Sequence, residues 1–375
     1  MNLIFAICFS LCLALPLLTM DTEKNKVSEI DNEYLPELKQ FEDLGVQQTV
    51  ETYLNKRIGF RVEALDIYQK INYHLFGLIE HPTYMNGQEE HVFFKSSACV
   101  KNYQHLNLNS AKAQEFAQTM RSFQDYVESC EKDFLYFLIP DKETVYPEFY
   151  PHTVNVYGDL SRSDELLGMM EDAGVHYLFA KDAMLEAKKT CLVNNVQYDA
   201  GHWNDHGAFY SLRGLYEYLQ KNHPEIELLE QDEFMMESEY KTSLQVSHFE
   251  IEDEVPVYSL KNPTATNETK SFTQSIYLPF PDQRVLHYSN AGCADKPKLL
   301  IFGDSYLADN AFFFTEHFSE YTFIHRNNVL NQEFFEYYVD QVNPDIVIFE
   351  NPERTLYYDL NQNVSLEQAT VQQAG

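Results

Sequence analysis

The chain has 375 residues, 58 of them acidic and 27 basic, and its formal net charge at pH 7 is -31. A polyanion of this strength excludes nucleic acid as a partner, because phosphate binding depends on clustered Lys and Arg, and it disfavours an anionic polymer substrate unless the site is locally basic. With 44% hydrophobic residues, the sequence can bury one large α/β core with insertions, or two small domains.

Residues 1–20 contain no Asp, Glu, Lys or Arg, and Leu3 to Leu18 is almost continuously apolar. That pattern is a secretion signal or a short membrane anchor, and it places the rest of the chain outside the cytoplasm as a secreted, periplasmic or outer-face protein. The segment lacks a basic start and an Ala-x-Ala site before Asp21, so both alternatives stand. Beyond it lie Cys99, Cys130, Cys191 and Cys293, which form two disulfides in one of three pairings or stay as free thiols. No Cys-x-x-Cys or paired-His spacing points to a metal, and no cofactor is expected.

Along the chain, 21–80 reads as an N-terminal helical region, with Glu37 to Phe76 largely helical on the spacing of Val50, Leu54, Ile58, Leu65, Ile71 and Leu75. A hairpin follows through Asn86-Gly87 to Val92-Phe93-Phe94, then a helix from Ser110 to about Cys130. Next, strand and helix alternate. Short buried strands are expected at Phe134 to Ile139, Val175 to Phe179, Lys298 to Phe302, Tyr321 to His325 and Asp345 to Phe349. Helices are expected at Ser161 to Ala173, Asp205 to Gln220, Asp309 to Phe318 and Glu333 to Gln341. The alternation implies a mostly parallel sheet with helices on both faces over 81–360, active groups lying at the strands' carboxyl ends. Glu225 to Asp295 differs: alternating stretches such as Gln245 to Ile251, broken by prolines, read as an antiparallel or irregular insertion that walls the site. Residues 361–375 form a polar tail.

Two segments carry the chemistry. Leu299-Leu300-Ile301-Phe302-Gly303-Asp304-Ser305-Tyr306 puts a serine directly after a buried strand, with Gly303 allowing a tight turn and close backbone approach. The helix after it is expected to aim its amide N–H groups at a reacting oxygen. Tyr198-Asp199-Ala200-Gly201-His202-Trp203-Asn204 supplies a base and the acid that orients it. A hydroxyl nucleophile needs a partner to take its proton, and that partner needs a carboxylate to fix its tautomer. Ser305, His202 and Asp199 are therefore the expected triad, with acyl transfer or ester hydrolysis as the reaction. Asp205 and His206 are set aside because the helix they begin would carry them away, and Asn204 also reads as that helix's N-cap. Trp203, the only tryptophan, packs the loop or meets substrate.

Gly-Asp-Ser with Asp-x-x-His is the pairing of SGNH hydrolases. The order His before Ser, with His-Trp-Asn and Gly-Ala following, resembles the AlgJ/AlgX-like (alginate O-acetyltransferase-like, DHHW) branch, in which the elements are permuted. Tyr53 to Arg61, Ile139-Pro140-Asp141-Lys142 with Tyr146-Pro147-Glu148, and Glu353-Arg354 resemble further segments of that branch. The resemblance implies an SGNH-like permuted α/β fold and an extracytoplasmic enzyme moving acetyl groups onto or off a polysaccharide hydroxyl. It also implies a membrane-bound acyltransferase partner that supplies the acetyl group. Gly303, Tyr306, Trp203, Asn204 and Arg354 are its secondary oxyanion or substrate candidates, and Asn327 and Asn328 are candidates for the oxyanion Asn. Lys142, Arg354 and Arg61 are expected to pair with carboxylates or to steady a substrate. Two residues rather than one separate Asp199 from His202, and no added carbohydrate-binding module is expected. A catalytically idle glycan-binding surface protein is the rival reading.

Overall fold

This computed structural model describes residues 2–24, 26, 34–37, 45–79, 81, 83–244 and 249–367. In chain order the strands are β1 (Tyr84–Asn86), β2 (Val92–Phe94), β3 (Asp133–Ile139), β4 (Tyr177–Phe179), β5 (Phe234–Ser243), β6 (Glu250–Leu260), β7 (Thr266–Asn267), β8 (Val285–Ser289), β9 (Lys298–Gly303), β10 (Glu320–His325) and β11 (Ile346–Pro352). Seven of them form the central sheet in the order β4-β3-β11-β9-β10-β8-β7. The first five run parallel, and β8 and β7 close the far edge antiparallel.

The central strands are unbroken apolar runs because both faces are covered. Leu135, Phe137, Ile139, Leu299, Ile301 and Ile348 face one buried cluster, whereas Phe134, Tyr136, Leu138, Leu300, Phe302 and Phe349 face the other. That is the strict alternation of side chains across a strand. On the second face lies the helix Ser110–Ser129, capped by Asn109, whose side chain accepts from Lys112 N–H at 3.1 Å. Its Ala113, Phe116, Ala117, Met120, Phe123 and Val127 recur at helical spacing and are buried. Beside it, the helices Arg162–Ala173 and Gln332–Val342 add Leu166, Met170, Phe335 and Val339. The helix Asp205–Leu219 covers the first face with Ala208, Phe209, Leu212, Leu215 and Tyr216. Each such Val, Leu, Met or Phe side chain contributes about 1.5–3 kcal/mol on burial, an Ala less.

The mixed α/β architecture expected from the sequence is the one observed, with differences that have physical causes. The single helical stretch from Glu37 is two helices, Val46–Arg57 and Arg61–Phe76, parted where Phe60 takes a left-handed φ of 59°. Residues 38–44 lie outside the described residues. At the break, a Cβ on Gly59 would stand 2.6 Å from the Thr19 carbonyl oxygen, so only glycine admits that contact. The helix expected from Asp309 to Phe318 is instead a short 3-10 turn, Ala311–Phe313, after the single α-turn Ser305–Ala308. Phe313, Phe314 and Phe318 are all buried, and consecutive aromatics cannot share one face of an α-helix, so burial overrides the periodicity. A helix at Ser97–Tyr103, capped by Ser96, was not anticipated.

The stretch Glu225 to Asp295 divides in two: β5 and β6 form a long antiparallel hairpin, while β7 and β8 extend the main sheet. Gln245 to His248, part of the alternating segment, lie outside the described residues, as do residues 368–375 of the tail. All six cysteines are free thiols, Cys99 and Cys293 buried among them. The N-terminal helix Asn2–Leu18 exposes its apolar side chains, and no described helix is long and apolar enough to cross a membrane.

Candidate active site

The parallel strands β3, β9 and β11 end side by side, and each hands over to a loop that carries functional side chains: Pro140-Asp141 after β3, Asp304-Ser305 after β9, Glu353-Arg354 after β11. Carboxyl ends of parallel strands are where an α/β sheet exposes its loops to a ligand.

Ser305 opens the one-turn helix Ser305–Ala308, held in place by Asp304, whose side chain accepts from Tyr306 N–H at 3.0 Å. Asp304 is itself fixed from both sides. Its N–H donates to Glu350 Oε2 at 2.8 Å, and its Oδ2 pairs with Arg326 Nη2 at 2.9 Å. Gly303 is required by that approach, since a Cβ there would stand 2.6 Å from Glu350 Oε2. Burial, together with the charge of Asp304, pushes the Glu350 carboxyl well above the ordinary carboxylate range. The turn departs from expectation in one respect: the Tyr306 amide is taken by Asp304, so it does not face a reacting oxygen.

The second segment reaches the same place from the loop before the helix Asp205–Leu219. Asp199 adopts a left-handed φ of 50°, which Asp tolerates better than most residues. Its carboxylate folds back to accept from His202 N–H at 3.1 Å and from Gly201 N–H at 3.4 Å. The same Oδ1 lies 2.8 Å from His202 Nδ1. At the other side of the ring, His202 Nε2 stands 2.9 Å from Ser305 Oγ. Burial works to raise the Asp199 carboxyl, but the ring and backbone hydrogen bonds from His202, with its charge, outweigh burial and hold it below the usual value. The arrangement is that of a hydroxyl, a base and an orienting carboxylate in hydrogen-bond sequence.

The secondary candidates fall in different places. Tyr306 and Arg354 meet behind the histidine: Tyr306 OH donates to the Gly201 carbonyl, and Arg354 Nη1 donates to the same carbonyl at 3.0 Å, to Tyr306 OH at 2.9 Å and to Asp141 Oδ1. They hold the His202 loop rather than a ligand. Trp203 is buried edge-on against Tyr306 at 5.3 Å, and its indole N–H has no partner. Asn204 spends both side-chain ends on the loop, accepting from Gly207 N–H at 3.0 Å and donating to the Leu192 carbonyl at 3.0 Å, so it is a cap. Asn328 is likewise consumed, accepting from Phe280 N–H and donating to the His325 carbonyl, and with Asn327 it sits on a 3-10 turn after β10, outside the residues lining the cleft. Asp205 accepts from Tyr258 N–H at 2.7 Å, and His206 Nδ1 lies 2.9 Å from Tyr258 OH, which ties both to the hairpin. Lys142 makes no carboxylate pair. Its Nζ is buried and donates to the carbonyls of Val92, Asn195 and Val196 at 2.9, 2.6 and 2.8 Å, and burial pushes its pKa down to about 7. Arg61 begins the helix Arg61–Phe76, on the N-terminal region.

Ser305, His202 and Asp199 open onto a cleft of about 190 Å³ whose far wall is the hairpin, through Glu239, Lys241 and Val255 to Val257. Sequence reasoning missed Asn195 and Asn310 among its lining residues; the side-chain oxygen of each is enclosed and has no partner. Asn310 was hidden by the helix expected there. Glu350, a lone acid at the end of an apolar strand run, was the signal that could have revealed the support under Ser305.

Neither a protein-family model nor a curated protein sequence matches the chain. Solved structures do. Bacillus cereus PatB1 superposes with a TM-score of 0.55 at 12% identity, over 73% of this chain and 97% of that one. A second structure of it, with a sulfonyl adduct, gives the same score over 74% and 98%. A DHHW family protein from Eubacterium siraeum gives 0.50 at 18% identity, over 72% of this chain and 94% of its own. Together with the sheet order and the placing of His202 ahead of Ser305, these likenesses give the chain the SGNH-like α/β fold of PatB1 and the DHHW family protein.

Proposed function

We propose that the chain is an extracytoplasmic serine-dependent O-acetyltransferase that moves acetyl groups onto polysaccharide hydroxyls through an acyl-serine. The observation that carries the reading is the continuous hydrogen-bond path from Ser305 Oγ through His202 to Asp199. In the first half, His202 Nε2 takes the hydroxyl proton as Ser305 Oγ attacks the acetyl carbonyl, and the imidazolium returns it to the leaving group. In the second, a sugar hydroxyl gives its proton to His202 and attacks the acyl-serine, and the imidazolium passes that proton to the departing Ser305 Oγ as the acyl C–O bond breaks. Asp199 keeps the ring's Nδ1–H directed at itself and stabilises the imidazolium. A cleft lined by polar residues that include Asn204, Asp205, Glu239 and Lys241 suits a hydroxyl-rich ligand. The acetyl group would come from a membrane-bound acyltransferase, and the apolar N-terminal segment accords with work outside the cytoplasm.

The test is purified protein with 4-nitrophenyl acetate and an oligosaccharide, weighed by mass spectrometry. Acetylated sugar is the expected product. Nitrophenol release without it makes the chain an acetylesterase, and no release from either wild type or Ser305→Ala makes it a binding protein. PatB1 was solved with a sulfonyl adduct, so an aryl sulfonyl fluoride is the companion probe, with a single added mass on the peptide holding Ser305 as the expected result.

A further inference from the structure

A second group of reactive side chains lies behind the Arg354 guanidinium, away from the Ser305 cleft. Among the described residues, Cys99, Asp141 and Glu143 are the group whose possible ligand atoms all lie within 4.8 Å of one another, and all three are buried. Cys99 comes from the helix Ser97–Tyr103, and the two acids from the loop and short helix after β3, so no spacing along the chain announces the cluster.

Two details go beyond acids being near each other. Asp141 Oδ2 and Glu143 Oε1 are both fully enclosed and have no hydrogen-bond partner, although a buried carboxylate oxygen left unpaired is costly. Their neighbours are spoken for. Arg354 pairs with Asp141 through Oδ1. Glu353 takes Asp141 N–H at 2.8 Å and the hydroxyls of Thr144 and Ser163. Three carboxyls thus gather near one guanidinium and a thiol.

The two acids, though not Cys99, are among the residues lining a cavity of about 220 Å³, with Thr144, Ser163 and Glu353. One sulfur and two carboxylate oxygens, with the cavity offering a water as fourth ligand, form a donor set for a borderline divalent ion. Bond lengths of about 2.3 Å to sulfur and about 2.0–2.2 Å to oxygen would hold tetrahedral ligand atoms about 3.4–3.6 Å apart, inside the present 4.8 Å span, so binding would draw the three side chains together. Arg354, paired with Asp141 Oδ1, then acts as the outer group that orients a ligand carboxylate, while Glu353 holds the Asp141 backbone N–H.

We propose that Cys99, Asp141 and Glu143 form a binding site for a divalent transition-metal ion of the Zn²⁺ type, open to solvent through the cavity beside Glu353. The ion would give the two unpaired carboxyl oxygens a partner and brace the loop after β3 that holds Arg354, and through it the Gly201 carbonyl of the His202 loop. It takes no part in the acyl chemistry, so the site stands or falls apart from the proposed activity.

The experiment loads metal-stripped full-length protein with Co²⁺ and then Zn²⁺. One equivalent of Co²⁺ is expected to give a thiolate-to-metal absorption band that Zn²⁺ abolishes. Cys99→Ser should lose the band while Cys293→Ser keeps it. Glu143→Gln, which retains shape and a polar end, should weaken Zn²⁺ binding about tenfold or more, with near-UV circular dichroism checking that it folds. Absence of a stoichiometric band in wild type, or a band unchanged in both Cys99→Ser and Glu143→Gln, overturns the site. So does a protonated-carboxyl infrared band that Glu143→Gln removes and Zn²⁺ leaves unchanged, which would mark a proton-sharing cluster instead.

Discussion

At the scale of single residues, the path Ser305–His202–Asp199 separates three roles that substitution can read independently. Ser305→Ala removes the atom that would carry the acyl group, so both nitrophenol release and sulfonyl labelling should vanish while the melting temperature holds. His202→Gln keeps a hydrogen-bonding side chain but no base, and turnover is expected to fall about a hundred- to ten-thousandfold. Asp199→Asn should cut turnover to a comparable degree, because an amide facing Nδ1 favours the wrong tautomer. Trp203→Phe preserves the edge contact with Tyr306 and deletes only the unpaired N–H. If that N–H meets the acceptor, KM should rise roughly three- to tenfold, the worth of one hydrogen bond, with kcat little changed. An unchanged KM across acceptors would place Trp203 in packing alone.

At the scale of elements, the His202 loop is held by contacts that leave no slack. A Cβ on Gly201 would fall 1.8 Å from Phe94 Cε2, and one on Gly207 2.2 Å from the Val193 carbonyl oxygen. Gly201→Ala must therefore push the hairpin β1–β2 and the loop apart. We expect lost activity together with a destabilisation of about 1–3 kcal/mol, read by urea unfolding and kinetics on the same samples. Lys142 fastens β2 to the same loop through carbonyls on both, and it uses all three ammonium protons to do so. Lys142→Met fills the volume but leaves buried carbonyls short of donors. A loss of at least about 2 kcal/mol is expected, and a variant as stable as wild type would show the tie to be dispensable.

At the scale of the whole molecule, charge and protons govern behaviour. With a formal charge of -31, self-repulsion opposes the compact state, so the melting temperature should climb as salt is raised from low ionic strength toward about 0.15 M, where screening acts over about 8 Å. Acid should act in two stages. Burial pushes His91 down to about 4, so the folded state binds its proton less readily than the unfolded chain, and stability is lost as pH falls from near 6.5 through 4. Asp199 is held below its ordinary value of 3.8, so its contribution is present above that pH and disappears as pH falls through the depressed folded value. Comparing urea midpoints of wild type, His91→Phe and Asp199→Asn against pH separates the stages: each variant should flatten its own part of the curve.

Much of this was legible in the order of residues. Strands β3, β9, β10 and β11 announced themselves as largely apolar runs because a sheet covered on both faces leaves few positions for a polar side chain, and the helices over it by their 3.6-residue stripe. Gly-Asp-Ser after such a strand, and Asp-x-x-His before a capped helix, are local patterns whose geometry the backbone dictates within a few residues. Tertiary structure decided the rest. It turned Phe312 to Phe318 out of a regular helix because burying adjacent aromatics outweighs propensity. It took Lys142 from a presumed ion pair to three carbonyls, consumed Asn204 and Asn328 as caps and ties, and drew Cys99 against Asp141 and Glu143. Those outcomes depend on which distant backbone arrives beside a side chain, and pairings of that kind leave no periodicity in the sequence to read.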